Sequence, residues 1–239
     1  MRIELFNILN SLRDLIYPNK CMICRRVLTS LEDEYICTLC SHRLCGEINT
    51  GYNLGKGFAN DLEWNEEWPE DMPRMIISLF PYESEYRKAI LRWKYRGIRK
   101  YAKGFAKLLV EENHFEVLEQ AVLIPIPLAP SRMKKRGFNQ ALDLAVELGK
   151  LTGITVVDGL KRIYDTKPQA SCSREERFKN AKGSMNFSNK VSGKVKSVLL
   201  IDDIYTTGST IKEAIRAIRN SKTFQDAFIY VVVVGKGDF

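Results

Sequence analysis

The stretch Val198-Leu-Leu-Ile-Asp-Asp-Ile-Tyr-Thr-Thr-Gly-Ser-Thr210 decides how this 239-residue chain is read. It opens on four apolar residues, the pattern of a strand buried on both faces of a parallel sheet. Asp202 and Asp203 then stand at the C-terminal end of that strand, the end at which parallel sheets bind ligands. Thr206, Thr207, Gly208, Ser209 and Thr210 form a hydroxyl- and glycine-rich loop that leads into a helix. Free N–H groups and the helix dipole make such a junction attractive to a phosphate. Gly208 lets the backbone approach that phosphate closely. The carboxylates repel a phosphate, but they accept hydrogen bonds from ribose hydroxyls and suit a hydrated Mg2+. Together these features describe a ribose 5-phosphate site. The plainer alternative is a strand-turn-helix in which Asp and Thr act as caps.

Outward from this stretch, strands alternate with helices. Strands are expected at 76–80, 121–126, 154–157, 197–201 and 228–234, and helices at 84–95, 100–113, 140–151 and 209–219. Nearly all-apolar strands separated by helices predict an α/β fold whose parallel sheet is covered on both faces. At the N-terminus, Ile3, Phe6, Leu9, Leu12 and Ile16 follow helical spacing up to Pro18. That helix either packs on the protein or lies on a membrane surface. The expected organisation is a helix and cysteine module over 1–50, an acidic linker over 51–75, and the α/β domain over 76–239.

Five of the six cysteines fall between Cys21 and Cys45. Cys21-x2-Cys24 and Cys37-x2-Cys40 are two turns of the kind that present four thiolates to one tetrahedral zinc. Four thiolates leave no open position, so the zinc is expected to be structural. His42 and Cys45 are the alternative ligands, and each breaks the x2 spacing. Cys172 reads as an incidental thiol.

The chain carries 37 Lys and Arg against 29 Asp and Glu, a net charge of +8. That balance favours polyanionic partners without naming one. Basic residues crowd 87–100, where Arg87, Lys88, Arg92, Lys94, Arg96, Arg99 and Lys100 occur with no acid. A second basic stretch runs over 161–196, and an acidic one over 61–71. Such runs are often no more than solvated faces. The longest plain apolar run, Phe228 to Val234, is far shorter than the ~20 residues that span a bilayer. Glu4 and the early polar residues argue against a secretory signal. A cytoplasmic protein is expected.

Val198 to Thr210 resembles the signature of type I phosphoribosyltransferases, which bind 5-phosphoribosyl-1-pyrophosphate. Four further segments point to one branch of them: Lys94-Tyr-Arg-Gly97, Ile124-Pro-Ile-Pro-Leu128, Arg132-Met-Lys-Lys-Arg-Gly-Phe-Asn-Gln140, and Thr166-Lys-Pro-Gln169 with Ser173-Arg-Glu-Glu-Arg177, Asn180 and Gly183. Preceded by a four-cysteine module, the chain resembles the ComF family of competence proteins from about residue 10 onward. The resemblance implies a type I phosphoribosyltransferase-like domain and a pyrophosphate held by Leu128 to Asn139 through Arg132, Lys134, Lys135 and Arg136. It also implies a flexible catalytic loop over 166–177, with Lys167, Arg174 and Arg177 beside Asp202 and Asp203. Loss of pyrophosphate leaves an oxocarbenium-like sugar, so electrostatic clamping and exclusion of water would supply most of any catalysis.

Two functions are compatible with this resemblance. ComF relatives are associated with uptake of single-stranded transforming DNA at the inner face of the cytoplasmic membrane, alongside a DNA-translocating helicase. On that reading Arg92, Lys94, Arg96, Arg99 and Lys100 track the DNA backbone and Trp93 or Tyr95 stacks a base. Ordinary core packing is the alternative for those aromatics. The second function is an active phosphoribosyltransferase acting on an unknown nitrogenous acceptor. Its pocket would come from the cysteine module, the acidic linker or residues 76–113, because the chain stops just after its last strand.

Overall fold

The computed structural model describes residues 18–29, 31–47, 72–112, 115, 118–163, 183–188, 191, 193–221 and 223–237. The expected N-terminal helix, nearly all of the acidic linker, and residues 164–182 lie outside them. In chain order the elements are α1 (Thr38–Glu47), β1 (Met75–Pro81), α2 (Ser84–Arg96), α3 (Tyr101–Glu112) and β2 (Ala121–Pro125). Then come α4 (Pro130–Arg136), α5 (Gln140–Thr152), β3 (Thr155–Val156), β4 (Leu160–Arg162) and β5 (Met185–Phe187). The last three are β6 (Ser197–Tyr205), α6 (Ser209–Arg219) and β7 (Phe228–Lys236).

Five strands form one sheet in the order β1-β7-β6-β2-β3, and every neighbouring pair is parallel. Side chains alternate between its faces, as the pleat requires. Leu199, Ile201, Tyr230, Val232 and Val234 point to one face with Ile77 and Leu79, against residues of α2, α3 and α5. Val198, Leu200, Ile229, Val231 and Val233 point to the other, against α6 and the β4–β5 pair. Burial on both faces explains why these strands read as unbroken apolar runs.

Three details differ from the sequence expectation. Strand β6 continues through the carboxylates as far as Tyr205, because Asp202 and Tyr205 still pair with Val233 and Lys236 of β7. Part of the expected pyrophosphate loop is the seven-residue helix α4, with Pro130 in its first turn and Gly137 closing it at φ 77°. The third is the antiparallel β4–β5 pair, whose three-residue strands are too short to leave a periodic signal.

The chain runs from β2 outward to β3 but from β6 outward to β7, so the winding reverses between β2 and β6. A cleft opens beyond the carboxyl ends of strands at such a reversal.

Candidate ligand cleft and metal centre

The cleft at this reversal has a volume of about 550 Å³. One side is the junction from Asp202 to Ile211, comprising the end of β6, the loop and the first residues of α6. Gly208 has φ 73°, and a Cβ built there would lie 2.6 Å from the Tyr205 hydroxyl oxygen. Both facts call for glycine. The Thr207 and Ser209 hydroxyls are 3.2 Å apart, side by side where the loop becomes helix. The opposite side is cationic: Arg132, Lys135 and Arg136 from α4, and Arg162 from β4. Tyr82, Lys94 and Tyr95 close a third side.

The two carboxylates are not equivalent. Lys94 Nζ pairs with Asp203 at 2.8 Å, and both side chains are nearly buried. Asp202 accepts a 2.8 Å hydrogen bond from the Asp203 backbone N–H. Burial, then the neighbouring Asp203 charge, pushes the Asp202 carboxyl up to about 7. The cleft therefore sets a buried acid among cations and hydroxyls. That set can bind an anion at one end and hydroxyl donors or a cation at the other.

The cysteine module has its own architecture. The first turn is closed by Cys21 N–H to Arg26 O at 2.8 Å and Arg25 N–H to Cys21 O at 3.0 Å, beside a Lys20–Val27 bridge. The second pair sits where α1 begins. Glu32 fastens the two halves. Its carboxylate accepts from the N–H groups of Thr29 and Thr38, each at 3.0 Å. These bonds hold it at about 2, well below its ordinary range. The four sulfurs lie within 4.8 Å of one another, and Cys24 Sγ is 3.7 Å from Cys37 Sγ. A tetrahedron of Zn–S bonds of about 2.3 Å has edges of about 3.8 Å. The cluster fits a structural metal such as zinc. His42 is exposed and is not among these ligands; the Cys45 side chain lies outside the described residues.

A family profile described as "Phosphoribosyl transferase domain" matches residues 133–237. The chain is 27% identical over 207 residues to Competence protein ComFC of Streptococcus pneumoniae, covering 80% of this chain and 90% of that protein. It is 26% identical over 211 residues to Competence protein ComFC of Bacillus subtilis, covering 83% and 77%. It is 28% identical over 149 residues to Competence protein F of Haemophilus influenzae, covering 61% of each. The chain is similar to the ComF competence proteins. Its α/β domain is a phosphoribosyltransferase domain, with the cysteine module ahead of it.

In this chain Asp202, Asp203, Thr206, Thr207, Gly208, Ser209 and Thr210 line one cleft with Arg132, Lys135 and Arg136. Lys134 is exposed and is not part of the lining. Lys167, Arg174 and Arg177 fall outside the described residues. Arg162 and Tyr82 were missed as cleft residues. A three-residue strand gives Arg162 no sequence signal, whereas Tyr82 directly follows β1 and could have been found from the strand end.

The expected DNA-tracking run is dispersed by its helix, which sends consecutive residues to different sides. Trp93 is 0% exposed and packs against Phe105; it is core and cannot stack a base. Arg92 donates to the carbonyls of Met22 and Ile23. Lys94 serves the cleft through Asp203. Arg99 grips Asp143 with two bonds of 2.8 and 2.6 Å, over the Phe138 ring. Lys100 donates to Asn19 at 3.1 Å. Arg96 and Tyr95 remain exposed. Arg136 sits 4.9 Å from the Tyr95 ring centroid and donates to its hydroxyl at 3.3 Å.

Proposed function

We propose that this chain binds 5-phosphoribosyl-1-pyrophosphate or ribose 5-phosphate, with Mg2+, in the cleft between β2 and β6. One observation carries the reading: the β6 carboxylates, the glycine-hydroxyl loop and the α4 cations line the same cleft. In this reading Thr206 to Thr210 take the 5-phosphate and Asp202 and Asp203 take the ribose hydroxyls. Arg132, Lys135 and Arg136 meet the pyrophosphate with Mg2+, and Lys167, Arg174 and Arg177 come from the flanking segment. The cysteine cluster holds a structural zinc.

Calorimetry with 5-phosphoribosyl-1-pyrophosphate and Mg2+ tests the reading. The double variant Asp202→Ala with Asp203→Ala should bind at least about tenfold more weakly, as expected when charge-assisted hydrogen bonds are lost. Unchanged affinity would remove the site.

The names of the relatives support a role in competence, and we place this chain in the handling of single-stranded transforming DNA beside a DNA-translocating helicase. The chain's +8 charge suits that partner, and Arg96 and Tyr95, both exposed near the cleft, are the best remaining contacts. No helix among the described residues is long and apolar enough to cross a membrane. The second reading, an active transferase, is favoured by Tyr95. Its exposed ring lines the cleft beside Arg136, a flat aromatic surface of the kind a planar acceptor stacks on. Release of pyrophosphate in the presence of candidate nitrogenous acceptors separates turnover from binding alone.

A further inference from the structure

Three consecutive residues of α2 send their side chains to three different places. The Arg92 guanidinium donates to the carbonyls of Met22 and Ile23, each at 2.7 Å. Those carbonyls lie inside the turn between Cys21 and Cys24. Trp93 is fully buried between α2 and α3. Lys94 reaches the other way to Asp203 in the cleft. A helix turns about 100° per residue, so residues two apart project to nearly opposite sides. Helix α2 thus has one side on the cysteine turn and the opposite side on the ligand cleft.

The grip at the cysteine end is selective. Arg92 Nε is buried with no hydrogen-bond partner, so the two turn carbonyls carry the polar anchoring of that guanidinium. A second bond from the same turn, Arg25 to the Tyr101 hydroxyl at 3.1 Å, fixes the corner between α2 and α3. The turn's two sulfurs belong to the four-cysteine cluster.

We infer that Arg92 is a positioning residue, setting Lys94 against Asp203 as long as the cysteine turn is folded. The consequence for ligand affinity rests on the phosphoribosyl reading; the mechanical link does not. Both bonds come from Nη2, and Arg92→Lys keeps the charge but ends its side chain one bond short of that nitrogen. Release of the metal lets the turn that presents the two carbonyls rearrange. Either change should free α2 to roll and part Lys94 from its carboxylate.

The test uses the full chain in three forms: wild type, wild type treated with a chelator, and Arg92→Lys, with Arg92→Gln as a second variant. Each is pulse-labelled with an amine-reactive ester, and acetylation of Lys94 is read by peptide mass spectrometry. Amide exchange of β6 and β7 is followed in parallel to show that the sheet stays folded. Lys94 labelling should rise several-fold in the chelated and variant forms, while β6 and β7 stay protected. Affinity for ribose 5-phosphate with Mg2+ should fall about tenfold, the size of coupling usual for residues acting through one network. Unchanged Lys94 labelling in chelated wild type and in both variants overturns the inference, whatever happens to melting temperature. If Lys94 labelling rises but wild type binds no ribose 5-phosphate, the link stands and the ligand reading falls. If wild type binds and Lys94 is unmoved, the reverse holds.

Discussion

Trp93 shows how a residue is misread when its neighbours in sequence are taken for its neighbours in space. Flanked by Arg92 and Lys94, it looks like a stacking platform in a basic run. The signal that contradicts this was present: Ala89, Ile90 and Trp93 have the spacing of one buried helix face, and all three are buried. Trp93→Ala should therefore cost about 3–5 kcal/mol of stability, as for other large core truncations. Single-stranded DNA binding by the folded fraction should not change; denaturant melts beside fluorescence anisotropy check both. Asp202 makes a second residue-scale prediction. Its carboxyl titrates near 7 in the folded chain against an ordinary value of 3.8. Between those values the folded state holds the extra proton, so this residue lowers stability as pH rises from about 4 to 7. Hydroxyl donors or a cation at the carboxylate favour its charged form. Ligand binding with Mg2+ should strengthen from about pH 6 to 8 and release a proton, read by calorimetry in buffers of differing ionisation enthalpy. Binding without proton release would show that Asp202 is not a contact.

At the scale of elements, what was legible depended on length and contrast. Strands β6 and β7 announce themselves because both faces are buried, and α6 because Gly208 and Ser209 mark its start. Helix α4 did not, because Pro127 and Pro130 look like breaks, although Pro130 sits in the first turn of a helix. The cysteine turns were legible as ligands but not as neighbours of α3. Gly104 makes that contact: a Cβ there would lie 2.8 Å from both Met22 Sδ and Tyr35 Cβ. Gly104→Ala should destabilise the fold by about 1–3 kcal/mol, the usual cost of overpacking, and loosen the metal. Faster zinc transfer to a chromogenic chelator would show it. Gly208→Val tests the other junction, where positive φ and the Tyr205 hydroxyl both exclude a side chain. Phosphoribosyl affinity should collapse while melting temperature falls only modestly. Retained affinity would place the phosphate elsewhere.

For the whole molecule, the expected division between a metal module and an α/β domain does not describe the core. Cys21, Met22, Ile23, Tyr35, Ile36, Cys37 and Cys40 belong to the same apolar cluster as Ile77, Trp93, Phe105 and Leu199. Sequence separation suggested independence; packing removes it. Chelation, or Cys37→Ser, should thus lower the melting temperature of the described domain in a single shared transition. Calorimetry that resolved an unaffected second transition would restore the division. The pairing of β1 with β7 carries a consequence for how the chain is made. Strand β7 is the partner that β1 needs, yet β1 leaves the ribosome long before it. Until then the apolar side chains of β1, and those of the cysteine turns beside it, have no sheet to rest on. The nascent chain must stay soluble through most of its synthesis, a slow, non-local closure that exposes it to aggregation. On the proposed reading that the early cysteines hold zinc, its capture is the first step that can shorten that exposure, so zinc supply during translation, rather than afterwards, should govern the yield of folded protein.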